Sequence, residues 1–316
     1  MTIDKDAKSV LVTGAEKELA YLDRFGSPRA PYERFRGEYY NYEKQPPSDH
    51  AKNLGRYLRL APSLVPDDES LSAFCIRHPD ITDVTDFKVS TDSSGLQILS
   101  VLGWQYAAVL PLFLYAGIPG VIDNDEDEDS QRIVKPEEKQ EWERELFRRS
   151  LVRYHYNLST ATYNRIHHKG LVCPLNPFRR HIFIHATALW QGETIELLYL
   201  LINMVLSWGH FATDGTPCPP VVFTENEIAA AVKLYEGLAD AENCERTLRD
   251  CVGYYGKEAW VPTAEYEEAK AISQEIKRII LKGCAEDEGT TKEEYALIEA
   301  NWPLDDRDED ELNEYK

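Results

Sequence analysis

From residue 136 to residue 300 this chain reads almost wholly as amphipathic helix, which limits it to folds whose core is supplied mostly by helices. Pro136 suits a first helical turn, and Trp142, Leu146, Leu151 and Tyr154 continue an apolar stripe from it. Further helices are expected near 178–190, 193–212, 225–251, 264–285 and 290–300. Thr224 and Glu227 have the spacing of a capping box, in which the Thr caps the helix and the Glu answers it. Upstream, Leu19, Leu22 and Phe25 share one helical face within 15–25, and Ser48 is placed to cap a helix that Ala61-Pro62 ends. The run 26–47, with its Gly, Pro and many Tyr, reads as an extended crossing loop. Strand pattern is confined to 73–102: a strand, a polar loop and a short strand over 73–90, then 96–102 to complete a small antiparallel sheet. The expected fold class is α+β, mainly α. One domain is expected over 1–316, with an acidic loop at 123–130 and an acidic tail at 305–316.

A length of 316 residues is enough to bury a full core. Against 35 Lys and Arg stand 55 Asp and Glu, a net charge of −20, so phosphate backbones and anionic lipid are repelled. Nucleic acid and membrane surfaces are therefore not expected partners. The six cysteines (Cys75, Cys173, Cys218, Cys244, Cys251, Cys284) form no C-x-x-C pair, which argues for reduced thiols. Residues 1–6 have no apolar signal core, and the apolar stretch 194–206 is interrupted by Glu196 and Asn203 and is short for a membrane span. A cytoplasmic location is expected.

The chemistry-bearing segment is 77–106. Arg77-His78-Pro79-Asp80 opens like the catalytic loop of kinases, in which an Asn five residues after the Asp holds magnesium. Here that residue is Thr85. After the strand 96–102, the position of the second metal-chelating Asp is Gly103. Both ligands are replaced, while the base position is kept. A metal reading of His167-His168 or His181 with His185 has little support, since adjacent His residues point apart and the i,i+4 pair lacks a carboxylate signature. Nucleophile-elbow, Walker and dinucleotide-binding motifs are absent.

Taken as a set, several blocks make the chain resemble the fungal branch of the aminoglycoside-phosphotransferase family, a kinase-like fold. They are Arg77-His78-Pro79-Asp80, then Leu102-Gly103-Trp104-Gln105 with the apolar segment 109–114 and Ala116-Gly117-Ile118-Pro119. Glu145-Leu146-Phe147-Arg148-Arg149, Trp260-Val261-Pro262 and Trp302-Pro303-Leu304-Asp305-Asp306 resemble later signatures of the family, so the likeness covers roughly 10–310. The resemblance implies a helical C-terminal lobe. Residues 10–25 look like the link that leaves the nucleotide lobe, so that lobe, with its phosphate-pairing Lys and covering loop, is expected to be missing. The family's Gln-Pro-Asn-Asn run is replaced by Thr82-Asp83-Val84-Thr85-Asp86, and a one-residue slip would bring Asp83 or Asp86 toward a metal.

Positioning and charge neutralisation supply nearly all catalysis of phosphoryl transfer, so a chain without the metal ligands is not expected to perform it. Two other readings follow. One is a repurposed enzyme of fungal natural-product biosynthesis, a cofactor-free cyclase of the Diels–Alder type acting on an apolar terpene- or polyketide-derived substrate. For it, His78, Asp80 and Tyr106 are the candidate catalytic residues. Arg77, Trp104, Tyr39 and Tyr40 are the candidate substrate-binding residues, with no cofactor and no metal. The alternative is a non-catalytic, pseudokinase-like scaffold with a protein partner. An active ATP-dependent phosphotransferase comes last.

Overall fold

The computed structural model describes residues 6–78, 86–92, 95–118, 139–212, 218–252, 261–287, 289–305, 309 and 313. It is mainly helical, with ten α-helices and four short strands among the described residues. These are α1 (Ala7–Phe25), α2 (Pro47–Leu60), β1 (Phe74–Arg77), β2 (Phe87–Asp92), β3 (Gly95–Val101), β4 (Ala108–Pro111) and α3 (Leu112–Tyr115). Then follow α4 (Lys139–Tyr163), α5 (Arg165–Val172), α6 (Asn176–Thr187), α7 (Ile195–Leu206), α8 (Glu225–Val252), α9 (Tyr266–Glu286) and α10 (Lys292–Ala300). The expected acidic loop 123–130, Pro136 and the motif residues 79–85 lie outside the described residues.

The strands form two separate antiparallel ribbons rather than the single sheet expected. One pairs β1 with β4, in the register Phe74↔Pro111, Ile76↔Val109 and Arg77↔Ala108. The other pairs β2 with β3, with a bulge between Lys88 and Val89. Strand β4 takes up the first part of the apolar segment 109–114. Pro111 lacks an N–H, so it closes the strand and sits immediately ahead of α3, where the first N–H groups of a helix need no internal partner. The helix is left with four residues, Leu112–Tyr115.

The chain divides into two compact units, residues 1–17, 56–188 and 204–221 in the first, and 18–55, 189–203 and 222–316 in the second. In the first, the short α3 buries Leu112, Phe113 and Leu114 completely, and Leu112 N donates to the Ala73 carbonyl at 2.9 Å. Helix α6 holds it from the other side, because Arg180 Nη1 donates to the Ala116 carbonyl at 2.6 Å. Tyr57 is fully buried and donates to the Leu11 carbonyl at 3.2 Å, pinning α1 to α2.

The second unit is organised around Trp190, Leu197 and Leu201, all buried. Trp190 Nε1 donates to the Ser27 carbonyl at 3.0 Å, and its backbone N–H donates to the Glu18 carboxylate at 2.9 Å. The capping box at the start of α8 forms as the sequence predicts: Thr224 N donates to Glu227 Oε2 at 3.0 Å, and Glu227 N donates to Thr224 Oγ1 at 3.2 Å. A second box, Thr291 with Glu294, starts α10. The segment 26–47 is not simply extended. Residues Arg34–Tyr40 form a 3-10 helix, ended by Asn41 and Tyr42 at φ of 51° and 55°.

Candidate functional site

In the first unit, His78, at the end of β1, meets the turn that follows β3. His78 follows directly on β1, and its ring is enclosed, with the side chain 1% exposed. Its Nε2 lies 2.5 Å from the Leu102 carbonyl, which can only accept, so that nitrogen carries the hydrogen. Leu102 is fixed in turn by donating its N–H to the Asp86 carbonyl at 2.7 Å. A nitrogen that donates to a carbonyl is not available as a base. On this side His78, a candidate catalytic residue, acts as a brace between the end of β1 and the end of β3.

Gly103 is the pivot of the site. Its φ of +78° is left-handed, and it turns the chain from β3 into the 3-10 turn Trp104–Tyr106. The Asp86 carboxylate occupies the space where a side chain at 103 would start: a Cβ there would lie 2.6 Å from Oδ2 and 2.8 Å from Oδ1. The same Oδ2 is 3.8 Å from His78 Nε2. Thus Asp86 takes up room that a chelating Asp at position 103 would need. Among the described residues, no group of three or more His, Cys, Asp or Glu is placed to hold a metal ion.

Trp104 packs edge-on against His78, with ring centroids 4.8 Å apart at 80°, and its Nε1 donates to the Val101 carbonyl at 2.9 Å. Its polar atom is therefore satisfied, and the rest of the indole is an apolar face 44% exposed. Both ribbons present apolar side chains to solvent as cross-strand pairs. Ile76 faces Val109, 57% and 60% exposed, and Val89 faces Ile98, 47% and 60% exposed. Phe74, Leu96, Leu99 and Leu102 are exposed as well. The sequence signal was present, in the alternation of 96–102. Alternation normally marks a strand with one face covered, and here residues Gly95 to Leu99 of β3 are exposed on both faces.

The structure therefore joins His78 and Trp104 in one cluster and adds Asp86, which sequence reasoning had weighed only as a metal ligand. Arg77 pairs with Ala108 in the β1–β4 ribbon, and Tyr106 ends the 3-10 turn; their side chains lie outside the described set. Asp80 and Asp83 lie outside it altogether.

Tyr39 and Tyr40 belong to the second unit, in a polar cluster of that unit's own. At its centre Arg36 is half-buried and forks to three carboxylates: Nη1 lies 3.0 Å from Glu193 and 2.7 Å from Glu196, and Nη2 pairs with Glu242. Burial works against the charge on Arg36, but Glu193 and Glu196 outweigh it and move its pKa upward. Burial pushes the Glu193 carboxyl above its ordinary range, against the pull of Arg36. The Tyr40 hydroxyl donates to Glu193 at 3.3 Å, and its pKa is raised by burial and by that carboxylate. Next to it Tyr199 and Tyr235 stack at 3.8 Å and 5°. Three acids on one guanidinium, with a phenol closing the group, is a structural ion cluster that ties the 3-10 segment to α7 and α8. The sequence gives little sign of it, because its members are spread over two hundred residues.

Two curated proteins of Aspergillus fumigatus, one from each of two strains, are similar to this chain, and each is named as a subtelomeric hrmA-associated cluster protein. Each is 24% identical over 250 residues, which is 76% of this chain and 47% of the relative. The chain thus spans about half the length of the curated relatives it matches. No family model matches it, and no solved structure does.

Proposed function

We propose that this chain is a kinase-like protein that does not transfer phosphate and works by binding, offering the apolar ribbon surface around Trp104 to a protein partner. The observation that carries this reading is the set of exposed cross-strand apolar pairs, Ile76 with Val109 and Val89 with Ile98, beside the half-open indole. Large apolar side chains left open in water on both ribbons suit an interaction site better than a solvated face. Phosphate transfer is disfavoured by residues: Gly103 and Thr85 stand at the chelating positions, and Asp86 crowds the first of them. A photo-crosslinking residue at position 98 tests the binding reading in cells. A single dominant protein adduct, lost in Ile76→Glu and Val109→Glu, is expected. Adducts no richer than those from a control position on the exposed face of α8 would contradict it.

A second reading keeps the cofactor-free cyclase, with a small apolar substrate lying against Trp104. It is favoured by the satisfied indole N–H, which leaves a dry wall, and by the relatives' name, which ties them to a cluster and suits a natural-product setting. Pericyclic chemistry needs near-attack geometry, and an open face supplies less of that than an enclosed one. Metabolite profiling of a deletion strain separates the two readings. A vanished cyclised product, restored by Asp80→Asn but not by Trp104→Ala, would put the cyclase first.

A further inference from the structure

Helix α4 has two faces, and the fold accounts for only one of them. Over its 25 residues none is buried. Trp142, Leu146, Arg149, Arg153, Tyr156 and Thr160 form the half-covered side, from which Tyr156 Oη reaches His167 Nε2 of α5 at 2.8 Å. On the opposite side Phe147, Leu151, Tyr154 and Leu158 stand 71%, 45%, 61% and 51% exposed. Their spacing is four, three and four residues, the alternation of a coiled-coil seam, with Phe147 and Tyr154 at one core position and Leu151 and Leu158 at the other.

We infer that this seam joins two copies of the chain through a parallel α4–α4′ contact. Three observations select a second copy as the occupant. A heptad seam fits another heptad seam, and in a parallel pair each of the four positions meets its own like: Leu on Leu and aromatic on aromatic. The flanks are self-complementary as well. In that register Glu143 lies opposite Arg148 of the second copy, five residues on, the usual cross-pairing of flanking positions. Arg148 is already held along the flank by Glu145, through Nε and Nη2 at 2.7 Å each, which leaves Nη1 for the second copy. Finally, α4 carries five basic and three acidic residues in a chain of net charge −20, so it is a place where two copies approach with least repulsion.

The magnitude sets the kind of dimer. Four such side chains offer roughly 400–500 Å² of apolar surface a copy, below the ~800 Å² of a standard interface, so the dimer is weak and concentration-dependent. This inference is independent of the ribbon surface and of any partner on it.

Sedimentation equilibrium of the full chain from about 2 to 200 μM, in about 0.15 M salt to screen the net charge, tests it. The expected result is a monomer–dimer equilibrium with half-association in the tens of micromolar. Leu151→Asp should weaken it at least tenfold with unchanged far-UV circular dichroism. Glu143→Arg should weaken it severalfold, and adding Arg148→Glu to that variant should restore it. A wild-type chain that stays monomeric at the highest concentration overturns the inference. So does a dimer indifferent to Leu151→Asp, which would lie elsewhere, or a charge exchange that fails to restore association, which would exclude the parallel register.

Discussion

Gly103 is both the sequence position that argues against phosphoryl transfer and the residue the local structure most needs to be glycine. Any side chain there meets two costs, a left-handed backbone and the Asp86 carboxylate at 2.6 Å. The backbone alone is worth about 1–2 kcal/mol for a residue with a Cβ, and the contact adds to it. Gly103→Ala should therefore lose about 2–4 kcal/mol in urea unfolding. Part of that loss should return in an Asp86→Ala background, where the steric part is gone and the backbone part remains. Equal losses in both backgrounds would show that Asp86 does not crowd the position. His167 supplies a test of the opposite kind, since burial first and His168 second hold its pKa below the ordinary value. The unfolded chain then binds a proton more readily than the folded one. The contribution is complete above about pH 6.5 and is lost as pH falls through the lowered value. Wild type should lose more stability than His167→Gln between pH 7 and pH 5. Parallel pH profiles for the two proteins would contradict this.

At the scale of elements, the helices were legible because a 3.6-residue stripe repeated over three or more turns leaves little choice: α6, α8, α9 and α10 fall within three residues of the expected bounds, whereas α1 starts eight residues before 15 and α7 ends six before 212. What the pattern missed was short. Strand β4 is four residues ahead of an apolar helix and reads as part of it, and α5 has only eight residues. In the candidate site, the His78 and Trp104 positions could be read from the motif, whereas the placement of Asp86 over Gly103 could not, since it depends on where the β2–β3 ribbon starts. The capping box of α8 was legible to the residue. Thr224→Ala should cost about 1 kcal/mol, seen as a lower urea midpoint with unchanged slope. An unchanged midpoint would mean that the helix end is held by other contacts. The Arg36 cluster is a larger effect. Arg36→Met keeps the stem and removes the charge, which leaves the largely enclosed Glu193 without its cation, at a cost of about 3 kcal/mol. Burial already raises the Glu193 pKa, so protonation relieves the strain on the variant: its term is fully present below about pH 4.5 and is lost as pH rises. The loss should be severe at pH 7 and smaller at pH 5, and a deficit independent of pH would argue against the cluster.

For the whole molecule, each unit is assembled from three separated stretches of chain, and the second needs 18–55 and 189–203 as well as 222–316. A fragment of residues 1–221 removes Glu242 and the whole of α8 from the Arg36 cluster. It should be poorly soluble or only partly folded, and a soluble fragment with one sharp thermal transition would count against this assembly. Charge acts at the same scale. At −20, the chain repels polyanions in general, so any affinity for a nucleotide must come from a built site with a metal rather than from the overall field. Gly103 and Thr85 stand where the proposed loss of such a site puts missing ligands, and Asp86 lies over the first. Isothermal titration of the full chain with MgATP tests that most directly. Heats indistinguishable from dilution up to about 1 mM nucleotide are predicted. A magnesium-dependent isotherm with low-micromolar affinity would contradict the account and return phosphate transfer to first place.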